Sequence, residues 1–183
     1  MNYNNNLLEK MIDYKIKANE ASISHWLNQE LFTWQWWFCV FLFLAPLFIW
    51  WKIVDRKRLF EIMLFGLFVN LTCSLLDVIG TNFILWEYSI RILPNIPLFF
   101  PIDYVDIPVT YMLIYQFFSK WKRFMVAITI TAFIFSFIGE PFDVWAKMYI
   151  IIHWKYIYSF PIYILIAIVC KVAINWFIKK ARV

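Results

Sequence analysis

The sequence predicts an all-α integral membrane protein, a five-transmembrane-helix bundle with its N-terminus outside and its C-terminus in the cytoplasm. Three observations lead there. Of 183 residues, 63% are hydrophobic and 16% charged, and the mean hydropathy is +0.67. Soluble domains carry about 45–50% apolar and about 25% charged residues, so a soluble fold of this length has no means of hiding so much apolar surface. The apolar residues also fall into runs of the length a bilayer demands, about 20 residues each. Lys and Arg, finally, gather beside those runs rather than on one basic face.

The chain divides into a polar, amphipathic tail over 1–31 and a transmembrane domain over 32–183. Within the tail, Leu7, Leu8, Met11 and Ile12 form a short apolar stripe at helical spacing. It reads either as a helix lying on the outer interface or as a polar tail with little order. The first 30 residues lack a basic start followed by an apolar core, so no secretory signal peptide is expected.

The first span, about 32–51, opens with the cluster Trp34, Trp36, Trp37, as an interfacial aromatic belt does. The second runs over about 60–79 and the third over about 97–118, with Pro94, Pro97, Pro101 and Pro108 flanking or interrupting it. The fourth, about 124–144, carries no charge until Glu140, Pro141 and Asp143 arrive together. The fifth, about 156–178, holds Pro161 near its start. Each interior proline removes one helix hydrogen bond, and a freed carbonyl at membrane depth needs protein or water to satisfy it. The long connection over 80–96 is itself apolar and is expected to lie on the membrane surface or fold back over the bundle.

Orientation follows from the basic residues. Lys52, Arg56, Lys57 and Arg58 join spans one and two; Lys120, Lys122 and Arg123 join spans three and four; Lys171, Lys179, Lys180 and Arg182 close span five. Five spans put these clusters on one side, which the positive-inside rule makes cytoplasmic.

The polar residues of the spans keep helical spacing. Asn70, Ser74 and Asp77 share a face of span two, Asp103, Asp106 and Thr110 a face of span three, and Ser136, Glu140, Asp143 and Lys147 a face of span four. Lys155, Ser159 and Tyr163 share a face of span five. With the topology above, all four faces meet in the outer half of the bundle. Intramembrane carboxylates are costly, at about 2.5–3.5 kcal/mol near the centre, and mark ligand, ion or proton sites by default. Asp77, Asp103, Asp106, Glu140 and Asp143 are therefore the site candidates, the other polar residues being their support. Plain packing accounts also stand. Asp103 fits a first-turn acid favoured by the helix dipole, Asp143 and Lys147 fit a surface i,i+4 pair, and Ser and Thr serve as interhelical glue.

Cys39, Cys73 and Cys170 each fall in a different apolar run, without the Cys or His spacing of a zinc site, so no metal and no cofactor is expected. The net charge of +5 reflects membrane orientation, and no nucleic-acid partner is expected. Three Gly leave little scope for a Gly-rich phosphate loop.

The segments FTWQWWF (32–38), WWKIVDRKRLFEI (50–62), LLDVIG (75–80), PVTYMLIYQ (108–116), FSFIGEP (135–141) and HWKYIYSFPIYIL (153–165) resemble an uncharacterised family of small multi-span membrane proteins from spore-forming bacilli and clostridia. The resemblance spans roughly 30–175. It implies a bacterial plasma-membrane location and supplies no catalytic residues.

Three functions fit. The first is a non-enzymatic protein whose outward-facing carboxylate cluster binds a ligand, ion or proton, as a sensor, binding subunit or small transporter. Five spans without an internal repeat lack alternating-access symmetry, so transport calls for a homo-oligomer or a membrane partner protein. The second is a membrane-embedded lipid or isoprenoid enzyme using paired carboxylates as acid and base. The third is a structural partner within a larger membrane complex. The absence of a nucleophile–base motif favours a non-enzyme.

Overall fold

In the computed structural model, which describes residues 5–94 and 99–181, seven helices and one two-stranded ribbon follow in the order α1, α2, α3, β1, α4, α5, α6, β2, α7. The protein is mostly helical. Four helical segments are long and apolar enough to cross a membrane: α2 (Trp34–Ile53), α3 (Leu59–Asn82) with the short turn before it, Trp121–Trp145, and α7 (Tyr156–Ala181). Their outer faces are apolar and exposed at helical spacing, with Leu67, Leu71 and Leu75 on α3 and Leu165, Val169 and Val172 on α7. Patches of that extent suit lipid, not water.

The expected span over 97–118 takes a different form. Its first two residues lie outside the described residues, as does Arg182 of the C-terminal basic cluster. The remainder is a five-residue π turn, Ile102–Asp106, running into the eleven-residue α4 (Ile107–Phe117). With Phe100 and Pro101, which are also helical, the segment gives about 27 Å of rise, a little less than the roughly 30 Å hydrocarbon thickness. Pro101 and Pro108 bound the widened turn. Instead of facing lipid, α4 is walled in by α2, α3 and α5, with Val109, Tyr111, Met112 and Tyr115 buried. Polar groups at the ends of such a helix meet protein, the condition under which membrane-depth irregularity is tolerated.

The core runs through α3, α4, α5 and α7 around Ile62, Phe65, Val69, Tyr111, Phe124, Ile128, Ala167 and Ile174. Gly66 on α3 lets Met112 of α4 lie flat against the backbone. Lipid tails are as apolar as leucine, so this packing is held by close contact and interhelical polar bonds rather than by exclusion of water.

Glu140 and Pro141 do not break their helix. A π turn at Phe135–Gly139 widens the backbone between α5 (Trp121–Ile134) and α6 (Glu140–Trp145), and the Glu140 N–H reaches back to the Phe135 carbonyl. The proline, with no N–H of its own, is thereby carried inside a continuous span.

Two features resolve alternatives that the sequence left open. First, β1 (Trp86–Tyr88) and β2 (Tyr149–Ile151) form an antiparallel ribbon with Trp86 opposite Ile151 and Tyr88 opposite Tyr149. The apolar connection after α3 thus folds over the bundle through β1, and the Leu85 carbonyl accepts the N–H groups of Ile152 and His153 at 3.0 and 2.9 Å. Second, the tail is an ordered helix, α1 (Asn5–His25), ending in a π turn at Trp26–Glu30. Its stripe of Leu7, Leu8, Met11 and Ile12 is exposed. Its last residue, Glu30, is fully buried. The Glu30 carboxylate accepts from the Arg91 backbone N–H at 2.7 Å, from the Arg91 guanidinium, and pairs with His25 Nδ1 at 2.9 Å. Trp26 and Trp36 donate their indole N–H groups to the carbonyls of Arg91 and Ile92 at 2.9 and 3.2 Å. The tail is thereby tied to the connection that forms the ribbon.

Candidate functional site

Beneath the ribbon lies a cavity of about 330 Å³ between α3, the π turn before α4, α6 and α7. Four of the five carboxyl candidates line it: Asp77, Asp103, Glu140 and Asp143. They arrive from three separate elements. Asp77 comes from the last turns of α3, Asp103 from the π turn, and Glu140 and Asp143 from α6 just past its own π turn.

Asp106 does not line the cavity and is half-buried beside it. The i,i+3 spacing that placed it with Asp103 presumes an α-helix, and both residues sit in the Ile102–Asp106 π turn. A π turn takes more residues to come round, so three steps past Asp103 the side chain points elsewhere.

The buried carboxyls are only half-satisfied. Asp77 is 4% exposed, Asp103 7% and Glu140 9%. Oδ1 of Asp77 accepts from the Tyr88 hydroxyl at 2.6 Å and the Trp86 indole at 2.7 Å. Oε1 of Glu140 accepts from the Tyr163 hydroxyl at 3.1 Å. The second oxygen of each, Asp77 Oδ2 and Glu140 Oε2, has no hydrogen-bond partner, and the same is true of Asp103 Oδ2. Buried polar atoms are otherwise almost always paired, and each exception calls for an explanation. Among the described residues, no Lys, Arg or His lines the cavity to compensate these acids.

Aromatic rings complete the walls. Trp86, Tyr88, Phe99, Tyr149, Trp154 and Tyr163 all face the cavity. Tyr88 stacks on Phe99 at 5.0 Å and on Tyr149 at 5.5 Å, and Trp86 meets Trp154 edge-on at 4.9 Å. Burial pushes the phenols of Tyr88 and Tyr149 above their usual range, so both stay neutral. Gly80 fixes the Trp86 position, because a Cβ there would run into the indole ring. The turn between them places Ile84 at φ 55°, a left-handed conformation that β-branched residues rarely adopt.

The supporting residues scatter more widely. Ser159 lines the cavity and accepts from the Trp154 indole at 2.8 Å, and Tyr163 lines it through its bond to Glu140. Asn70 donates to the Asp103 carbonyl at 3.4 Å. The hydroxyls of Ser74 and Ser136 are buried without a partner. Thr110 is half-buried outside the cavity. Lys147 and Lys155 are exposed, and Lys147 contributes its carbonyl to Ser89 at 2.6 Å rather than its ammonium to the site.

Sequence reasoning missed Trp86, Tyr88, Tyr149 and Trp154. The signal was present in the alternation Trp86, Glu87, Tyr88, in which the aromatic residues point inward and the acid outward, a two-residue period that marks a strand.

Fold and site together define a helical membrane protein with an acidic, aromatic cavity at one end of its bundle. No protein-family model, curated protein or solved structure matches the chain.

Proposed function

We propose that this chain is a five-span plasma-membrane protein whose cavity is an outward-facing ligand, ion or proton site, serving a sensor, a binding subunit or a small transporter. The observation that carries the reading is the set of three unpartnered oxygens on Asp77, Asp103 and Glu140, each more than nine-tenths buried in one cavity. Such atoms cost stability and gain it back only when something donates to them.

The topology belongs to the same proposal. α4 with its π turn serves as the fifth crossing, shortened because protein surrounds it. The basic residues at 52–58, 120–123 and 179–180 then share the cytoplasmic side, and the ribbon and cavity face out. Membership in the spore-former family rests on the six sequence segments and would make the membrane a bacterial one.

Two measurements test this. A C-terminal tag readable only after permeabilisation agrees with the topology, and a tag accessible on intact cells overturns it. For the site, the melting temperature of the wild type in lipid nanodiscs is followed against pH and added salts, beside the Asp103→Asn/Glu140→Gln double variant. The proposal expects a response in the wild type that the variant lacks. Superimposable curves for the two proteins reject it.

A further inference from the structure

We propose that the occupant of the cavity is an organic amine: an ammonium group carrying an apolar body. This rests on the reading of the cavity as a ligand site and names its chemistry.

The acids alone carry no such inference. What adds to them is the state of their oxygens. Asp77 Oδ2, Asp103 Oδ2 and Glu140 Oε2 are acceptors without donors. The bound group must therefore bring N–H or O–H bonds, and brings most if it brings several at once. An ammonium has three and no lone pair to leave unsatisfied. Its charge also answers the charge balance, since no basic side chain lines the cavity among the described residues. An anion would face acids, and a neutral hydrocarbon would leave all three oxygens unpaired.

The walls separate an organic cation from a metal ion. The acids stand on three elements with aromatic rings around them, and among the described residues no group of three or more His, Cys, Asp or Glu is arranged to hold a metal. Ring faces attract cations within about 6 Å, tryptophan most strongly. Trp86, Tyr149 and Trp154 offer such faces around the acids, while Tyr88 is stacked on Phe99 and Tyr149.

The rest of the cavity is aliphatic, with Leu76 and Ile79 on α3 and Ile162 and Ile166 on α7. Leu76 and Ile79 are also exposed on the lipid-facing side of α3. The mouth is thus apolar and lateral, which suits a molecule that partitions into the bilayer with its amine near the surface. A cavity of about 330 Å³ sits at the small end of ligand sites, roughly 300–1,000 Å³, so the body is about the size of one ring or a short chain.

The test uses 2-phenylethylamine as probe and propylbenzene as its neutral isostere. Both are titrated into the full-length protein in phosphatidylcholine nanodiscs, with empty discs subtracted. The proposal expects the amine to bind at least about tenfold more tightly than propylbenzene, and Asp103→Asn and Glu140→Gln each to remove about that factor. Glu140→Asp, which keeps the charge, should recover part of it. Size-exclusion profiles matching the wild type show that the variants fold. Equal binding of the two probes, or amine binding that both amide variants retain, overturns the amine and leaves a cavity for neutral ligands. Binding of neither probe also overturns the amine. The wider ligand, ion or proton reading then falls only if the pH and salt response of the wild type also matches that of the double variant.

Discussion

At the end of the bundle where α2 turns into α3, Glu61 accepts from the Arg58 guanidinium at 2.7 Å and from the Tyr115 hydroxyl at 2.6 Å. Lys171, buried on α7 at the same end, donates to the Ser119 carbonyl at 3.1 Å and lies over the Phe124 ring at 3.7 Å. Beneath the ribbon at the opposite end, three buried carboxyls each leave an oxygen without a partner. Both regions hold ionisable groups inside a membrane-type bundle. In the first, the Glu61 carboxylate and the Lys171 ammonium each have hydrogen-bond partners, the arrangement that stability favours. In the second the acids are concentrated, no base lines the cavity among the described residues, and stability is given up, which is the pattern of sites that serve something other than the fold. The difference shows that an intramembrane charge is informative chiefly through what its partners leave undone.

Neutralising a paired carboxyl should damage the protein, and neutralising a half-paired one should not. The largest effect is expected at Glu30, whose removal strands the Arg91 guanidinium and backbone N–H in a buried site. Glu30→Ala should cost about 3–5 kcal/mol, read as a lowered melting temperature or denaturation midpoint in detergent. Tyr115→Phe deletes one hydrogen bond to the Glu61 carboxylate and should cost about 2 kcal/mol by the same measurement. Gly80→Ala pushes the Trp86 indole off Asp77; strain against the gain in helix propensity leaves a loss of about 1 kcal/mol, and the cavity should lose ligand affinity alongside. Asp103→Asn should lie within about 1 kcal/mol of the wild type or above it, since an amide is less costly to bury than a carboxylate lacking a partner. A large loss at Asp103, comparable to that at Glu30, would erase the contrast between the regions.

Much of this was legible beforehand. Hydropathy placed α2, α3, the 121–145 span and α7 within three residues of their observed limits, because each is apolar over the bilayer length and needs no partner to be recognised. Helical spacing brought Asp77, Asp103, Glu140 and Asp143 to one level, and all four line one cavity. The failures share a physical origin. Asp106 stands off the cavity because a π turn, which leaves no mark in residue spacing, shifts it from the face of Asp103. Nothing in the tail singled out Glu30, because Arg91, its partner, is 61 positions away. Lys171 looked like an interfacial charge because the rings and carbonyls that accept it belong to another hairpin. The ribbon escaped notice because the alternation Trp86, Glu87, Tyr88 is one period long and its partner strand, Tyr149–Ile151, is apolar throughout.

The π turns have a meaning in sequence length. Each is an α-helix carrying one residue more than its hydrogen-bond pattern needs, and Glu30, Asp103 and Glu140 all lie in one or directly after it. Removing one residue from 135–139 would let α5 and α6 join as an ordinary helix of nearly the same length. Because the widened turn spends its extra residue on nearly the same rotation and rise, Glu140 would keep its direction toward Tyr163 and the cavity. A one-residue deletion there is therefore expected to preserve both the bundle and the direction of Glu140, so the insertion is spent on widening the backbone ahead of Pro141 rather than on aiming the acid.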